Sequence, residues 1–389
     1  MRISTLGPAR ATLTIRISLA AILGGACALL TVAGPAQQNA APPARSSSGT
    51  PNIQNSRLNQ QPNAGSLATQ LKDWTAQVTT PQWAGYSVPE VAGNRGICCS
   101  GGDWNGGDCG TCRLEKGEHG VNVMHNDSDA TIKLEGSREI AVLFRAENHQ
   151  ITKIRIASTE CTLDAGGLPF LWLTNVKPAE SVALLTTFVR NDSKGYRDDD
   201  ERHGHQALSA IALHADDSAE TALESFVRPD APDELRKQTA FWLGEARGKA
   251  GFAALQKMAK SDPSTDVRAQ VAFALSVSHE PGAVDEMIRM AHDDESTHVR
   301  GQALFWLAQK AGKKEAAAIT NAIENDPDTE VKKRAVFALS QMPKDEGVPK
   351  LIQVAETNRN PAVRKQAMFW LGQSQDPRAL AFFEKVLSQ

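Results

Sequence analysis

From about residue 203 to residue 389 the apolar positions return every 32 residues, with no insertion or deletion. Val267, Val299, Val331 and Val363 share one register, with Leu235 and His203 before them. Eight places on stand Ile211, Leu243, Leu275, Leu307, Leu339 and Leu371. A separate column, Leu223, Leu255, Met287, Ile319, Leu351 and Phe383, marks the other half of each unit. Offsets zero, four and eight from the valine are apolar or small, which is one face of a helix. Asp262-Pro263, Asp326-Pro327 and Asn360-Pro361 stand just before the second helix of their units, and Ser264, Thr265 or Asp266 can cap the helix after the first of these. Pro281-Gly282 marks a turn back to a first helix. One such helix pair cannot bury its apolar face alone, so neighbours must stack. Residues 199–389 are therefore predicted to be an all-α solenoid of six units.

Further columns ride on this frame. Arg236, Arg268, Arg300, Lys332 and Arg364 follow the valine register by one place and are expected to pair with acids such as Asp266 and Glu330, or with the adjacent repeat. Gln238, Gln270, Gln302 and Gln366 follow by three places, with Arg334 as the exception. Phe241, Phe273, Phe305, Phe337 and Phe369 follow by six, about 240° round the helix and away from the core face. With Lys237, these glutamines and phenylalanines are the candidate lining of a concave groove that receives a protein or peptide. One place further the column alternates, Trp242, Ala274, Trp306, Ala338, Trp370, so the full repeat is 64 residues. That alternation suits interdigitating packing of adjacent second helices, or an aromatic surface built from the Phe and Trp columns together.

Upstream the pattern changes. Ser66 to Gln77 reads as a short helix with Leu67, Leu71 and Trp74 on one face. Runs at Val121–His125, Ala130–Leu134, Ile140–Glu147 and Ile151–Ala157 alternate and are separated by turn residues, which predicts an antiparallel meander. Phe170 to Leu173 is expected to add a strand, and Pro178 opens a helix that runs to about Val189. Residues 66–192 are thus expected to form a small cysteine-containing antiparallel β (α+β) domain ahead of the solenoid, in a multidomain chain.

The N-terminus adds an address. Arg2, Arg10 and Arg16 precede an apolar run from Ile17 to Ala33, and small residues lead to Ala36. This is the layout of a signal peptide over residues 1–36. Cleavage would leave a periplasmic or extracellular chain without a stable transmembrane span, and an uncleaved segment would anchor it. Residues 37–65, rich in Gln, Asn, Pro and Ser, read as a disordered linker because they offer little surface to bury. Loss of the leader takes Lys+Arg from 42 to 39 against 45 acids, a net charge of −6. That balance argues against nucleic acid as the partner. A monomer is expected.

Candidate chemistry gathers in the cysteines. Five of the six, Cys98, Cys99, Cys109, Cys112 and Cys161, lie in the β domain. The loop from Gly93 to Cys112 has almost no apolar residues, so it needs cross-links, and an exported chain favours disulfides. Zinc held by Cys98, Cys99, Cys109 and Cys112 is the alternative use of the same spacing. Cys109-Gly110-Thr111-Cys112 also has the form of a redox motif without the strand and helix that such a motif needs. His119, His125 and His149 could serve Cys161 in a hydrolytic site, although no oxyanion-loop pattern accompanies them. The run from Asp198 to His205 reads as a solvated connector and a first helical turn, with metal binding as the sharper alternative.

The segment from Asp262 to Arg268, followed by Ala272 and Leu275, resembles a HEAT repeat. Its short period is similar to the HEAT-like variety named after phycobilisome lyases. The ending from Phe369 to Ser374, and Leu163 to Pro169 upstream, resemble exported bacterial HEAT-repeat proteins. The resemblance implies an α-solenoid that binds protein partners, with no catalytic residues or cofactor of its own. The competing expectation is a redox, metal-binding or hydrolytic enzyme whose site lies between Cys98 and Cys161, with the solenoid recruiting substrate.

Overall fold

The computed structural model describes residues 50–91, 111–115, 139–159, 161–192, 203–310 and 312–388. The segment read as a signal peptide, Cys98, Cys99 and Cys109, the strands expected at 121–125 and 130–134, and most of the run 198–205 lie outside the described residues. Among the described residues no helix is long and apolar enough to cross a membrane.

The N-terminal half is built on two sheets. In chain order the elements are β1 (Ile53–Gln54), β2 (Arg57–Pro62), α1 (Leu67–Gln77), β3 (Gln82–Pro89), β4 (Thr111–Arg113), β5 (Glu139–Glu147), β6 (Gln150–Ser158), β7 (Thr162–Asp164), β8 (Pro169–Thr174) and α2 (Pro178–Asp192). The larger sheet has the order β2-β8-β3-β5-β6, and the smaller has the order β1-β7-β4. The expected helix and the strands at β5, β6 and β8 are present. The β5–β6 hairpin of the expected meander is antiparallel as read, but the domain is not purely antiparallel: among the described residues β3 joins β5 antiparallel, β8 enters parallel between β2 and β3, and the small sheet is wholly parallel. Turn residues specify only neighbours in sequence, so they carried no signal for these crossovers.

A second correction concerns residues 53–62, which fall in the stretch read as a linker. They form β1 and β2, with β2 paired to β8 from Arg57↔Pro169 to Pro62↔Thr174. All six β2 residues are exposed. The strand is held by its backbone ladder at a sheet edge, so the lack of apolar side chains did not forbid it.

The centre of the large sheet is buried on both faces. Along β5, Ile140, Val142 and Phe144 face one core and Ala141 and Leu143 the other, so the strand reads as a continuous apolar run. The second core lies under the small sheet and includes Trp83, Leu114, Leu163, Phe170 and Trp172, together with Cys112. Gly85 is required here, because a Cβ would sit 2.7 Å from Leu143 Cδ2 and 3.1 Å from the Val142 carbonyl oxygen.

The other face of the sheet continues into the helical half. This half comprises α3 (His203–Leu213), α4 (Asp217–Phe226), α5 (Asp233–Ala246), α6 (Gly248–Ser261), α7 (Thr265–Val277), α8 (Ala283–Asp293), α9 (Thr297–Lys310), α10 (Lys313–Asn325), α11 (Thr329–Gln341), α12 (Lys344–Thr357), α13 (Pro361–Gln373) and α14 (Pro377–Leu387). The N-caps follow the sequence: Ser264 accepts from the Val267 N–H, Asn360 from the Ala362 N–H and Asp376 from the Arg378 N–H. One core runs without interruption from Leu67 through the sheet to Phe382. Helix α2 packs against both α3 and α4, so it serves as the first outer helix of the stack as well as a cover for the sheet. From α5 onward the second helices α5, α7, α9, α11 and α13 pack on one another more closely than the outer helices do. The stack therefore curves toward the second-helix row.

Candidate partner-binding face

The phenylalanine column lies on the open side of the second helices. In α7, Val267, Val271, Ala274 and Leu275 are buried, while Gln270 and Phe273 are half-buried on the opposite side. The same division recurs in α5, α9 and α11. The rings join into one ladder. Trp242 meets Phe241 with centroids 5.2 Å apart, and Phe241 stacks on Phe273 at 5.8 Å. Phe273 meets Trp306 at 4.6 Å, and Trp306 meets Phe305 at 5.0 Å. Phe305 stacks on Phe337 at 6.0 Å, Phe337 meets Trp370 at 5.0 Å, and Trp370 meets Phe369 at 5.0 Å. These separations are within the range of favourable aromatic pairs.

The tryptophan–alanine alternation sets two kinds of step. Where the next helix carries alanine, phenylalanine stacks on phenylalanine. Where it carries tryptophan, phenylalanine meets the indole. Ala274 and Ala338 are fully buried. At the first alanine step the helices come so close that a Cβ on Gly244 would clash with the Ala274 carbonyl oxygen. The two readings of the alternation are thus both present: large and small residues interdigitate, and the rings also form a continuous stripe. The groove residues named from sequence omit Trp306 and Trp370, whose 64-residue period was the signal for them. Phe241, Phe273, Phe305 and Phe337 are half-buried, and Phe369 is 53 % exposed.

Polar groups flank the stripe. Lys237 Nζ lies 2.7 Å from Glu234 Oε2, and that hydrogen bond raises the lysine pKa. Gln238 Nε2 donates to Glu234 Oε1 at 3.1 Å. Gln270, Gln302 and Gln366 are half-buried and make no side-chain hydrogen bond among the described residues. The Lys237–Gln238 end is thus held by its own helix, while the later glutamines keep their amides for solvent or a ligand.

A buried arginine ladder fixes the spacing of the helices. Arg236 binds Asp262 through Nε and Nη2 at 2.9 and 3.1 Å, Arg268 binds Asp294 at 2.9 and 3.1 Å, and Arg300 binds Asp326 at 2.8 and 3.1 Å. Each is a bidentate pair. The hydrogen bond to Asp294 raises the Arg268 pKa, and that to Asp326 raises the Arg300 pKa. Nη1 of Arg268 also donates to the Asp262 carbonyl at 2.8 Å, and Nη1 of Arg300 to the Asp294 carbonyl at 2.9 Å, so successive pairs interlock. Asp266 and Glu330 are not the partners: Asp266 lies 3.9 Å from His298, and Glu330 pairs with Lys333. Where the aspartate column becomes Asn358, the arginine column becomes Lys332, which donates to the Glu324 carbonyl instead. Arginine and acid change together because either one alone would leave a buried charge.

A second buried polar chain joins sheet to solenoid. Tyr86 on β3, Ser181 on α2 and His214 at the end of α3 are at most 1 % exposed. His214 Nδ1 lies 2.6 Å from the Ala210 carbonyl, which can only accept, so Nδ1 carries the proton. Burial, opposed by that bond and by Asp216 and aided by Arg247, pushes the His214 pKa down to about 4, so the ring is neutral. Nε2 then accepts from Ser181 Oγ at 2.8 Å, and Ser181 Oγ in turn accepts from the Tyr86 hydroxyl at 2.7 Å. A hydroxyl donating to an imidazole is also how a nucleophile meets its base, but these groups are sealed from solvent and tie three elements together. Backbone bonds from Val91 N to Leu213 O and from Ala215 N to Pro89 O, at 2.8 and 2.9 Å, complete the joint.

Of the candidate cysteines, Cys112 and Cys161 are both buried, Cys112 in the core between the two sheets. Among the described residues no group of three or more His, Cys, Asp or Glu is placed to hold a metal ion.

The family model for HEAT repeats matches residues 219–308 and 316–389. No curated protein matches the chain. Solved structures that resemble it include the CpcE–CpcF complex of phycocyanin lyase from Nostoc, at 19 % identity over 40 % of this chain and 99 % of that one, with a TM-score of 0.31. Human deoxyhypusine hydroxylase matches at 15 % identity over 54 % of this chain and 90 % of that one, with a TM-score of 0.26. The condensin Cnd3–Cnd2 subcomplex of S. pombe matches at 18 % identity over 51 % of this chain and 28 % of that one, with a TM-score of 0.32. Residues 219–308 and 316–389 thus match the HEAT-repeat family model, and their 32-residue columns place a phenylalanine in each unit on the inner row.

Proposed function

We propose that the chain is an exported, non-enzymatic scaffold that receives a protein or peptide partner along the second-helix row, from Phe241 to Phe369. The observation that carries this reading is the phenylalanine column of the aromatic stripe, each member of which is partly exposed at the same register in five successive units. Packing between helices needs only the buried edge of such a ring. Its open edge offers apolar area of the type on which interfaces depend. Gln270, Gln302 and Gln366 add amides that donate and accept beside the stripe. The sheet end closes the stack at α2 and orients it. Export rests on residues 1–36, and an oxidising compartment would let Cys98, Cys99, Cys109, Cys112 and Cys161 form disulfides, with one of the five left unpaired inside the monomer or bonded to another chain.

The test is site-specific photo-crosslinking in the native host. A photoreactive side chain at Gln302, on the ladder face, is expected to give an adduct. The same group at exposed Asn321, on the outer row, is not. Phe305→Ala with Phe337→Ala should remove the adduct while the protein stays folded by circular dichroism. Equal adducts from both positions, or ladder variants that only unfold the protein, would sink the proposal. Intact mass and thiol titration of the protein recovered from the host test export and disulfide formation together.

A further inference from the structure

Helix α1 and strand β2 face each other across a cleft of about 430 Å³, and both present polar side chains to it. Asn59 and Gln61 lie two residues apart on β2, hence on one face of the strand. Asp73 and Trp74 come from the facing side of α1, Gln82 from the start of β3, and Phe170 and Leu171 of β8 form the floor. A strand and a helix that pack together ordinarily meet through apolar faces. Here the meeting faces are rich in carboxamides, and the gap between them stays open.

The hydrogen bonds separate the cleft's structural groups from its available ones. Gln70 is used in the turn before α1, where Oε1 accepts from the Ala64 N–H at 3.3 Å, and Gln77 Nε2 donates to the Asp73 carbonyl at 3.0 Å. Gln60, on the opposite face of β2, donates to Thr50 Oγ1 at 2.6 Å. Asn59, Gln61, Gln82, the Asp73 carboxylate and Arg57 have no side-chain partner among the described residues. Each carboxamide offers donor and acceptor together, which is the complement of a hydroxyl group. Arg57 and Asp73 bring one charge of each sign, so the cleft has no net charge and lacks the cationic cluster that a phosphate would need. Trp74 is half-buried and supplies an apolar face beside these groups.

We infer that this cleft binds a neutral oligosaccharide, with Trp74 against the apolar face of a sugar ring and Asn59, Gln61 and Gln82 bonded to its hydroxyls. The site is separate from the aromatic ladder and does not depend on the proposed partner.

The test is isothermal titration and saturation-transfer NMR on the full chain. The probes are neutral tetrasaccharides of glucose and of N-acetylglucosamine, an anionic tetrasaccharide and an extended uncharged peptide. At least one neutral sugar is expected to bind in the millimolar range or tighter. Trp74→Leu, which keeps an apolar side chain, and Asn59→Ala with Gln61→Ala should each weaken it at least about tenfold, the loss of one to two hydrogen bonds or one stacked face. Phe305→Ala, on the ladder, should leave it unchanged. The inference is overturned if no neutral sugar binds, if binding survives both cleft variants, or if the extended peptide binds there instead.

Discussion

The core of the sheet end and the second-helix row use aromatic side chains in opposite ways. At the sheet end Trp83, Tyr86, Phe144, Phe170 and Trp172 are at most 2 % exposed, locked between two sheets and a helical layer. Along the second-helix row the rings are just as continuous, yet from Phe273 onward none is closed off. The sheet end shows what this chain does with an aromatic residue when stability alone is at stake. The ladder departs from that standard at one register, which is the reason to assign it a task beyond holding helices together.

The contrast predicts where mutations hurt. Phe144→Ala, in the closed region, should cost about 3–5 kcal/mol, the range for emptying a fully buried large aromatic site. Because one core runs from Leu67 to Phe382, the loss should lower the urea midpoint seen by both near- and far-ultraviolet circular dichroism. Separate transitions for the two probes would show that the regions fold independently.

The next largest effect lies in the arginine ladder. Arg300→Ala leaves Asp326 buried without its partner and should cost about 3 kcal/mol. Lys332→Ala, at the position where the acid column has become Asn358, should cost less than about 1 kcal/mol, since only an exposed bond to a carbonyl is lost. Equal costs at the two positions, measured by denaturant titration, would mean that the ion pairs do not set the helix spacing.

The joint between the regions should respond to pH. A neutral His214 with a pKa of about 4 in the fold would titrate near 6.5 in the unfolded chain. Between these values the unfolded chain takes up a proton that the folded one refuses. Stability from this residue is therefore complete above pH 6.5 and is lost as pH falls to 4, by about 3 kcal/mol in all. Ser181→Ala, which removes the acceptor of Tyr86 and the donor to His214, should lower stability at neutral pH as well. A pH profile of the unfolding midpoint that matches in wild type and His214→Phe would refute this assignment.

How much of this was legible depended on the kind of signal. The solenoid was readable because each unit repeats the same physical problem, so Val267, Leu275 and their equivalents state the core several times over. The stripe was readable at the phenylalanines for the same reason. The arginines pair with the adjacent repeat, one of the two expected arrangements, whereas the named acids Asp266 and Glu330 are not the partners because Asp262 lies 26 residues from Arg236 at the end of the next outer helix. Strand β2 was missed because hydropathy reports burial, and an edge strand can pair through its backbone while burying nothing. The Tyr86–Ser181–His214 chain had no signature, since its members lie on three elements that meet only in the fold.

The smallest expected effect on stability separates the two uses of an aromatic most directly. Phe369 is 53 % exposed and touches one ring of the ladder, Trp370. Phe369→Ala should cost less than about 1 kcal/mol, because little area is returned to water. Phe337→Ala, between Phe305 and Trp370, should cost about 1–2 kcal/mol on the same scale. If the open edges serve a partner, Phe369→Ala should nevertheless reduce the crosslink yield from a photoreactive group at neighbouring Gln366 by as much as Phe337→Ala does. Crosslinking that falls only in proportion to lost stability would place the stripe with the closed aromatics of the sheet end, as packing alone.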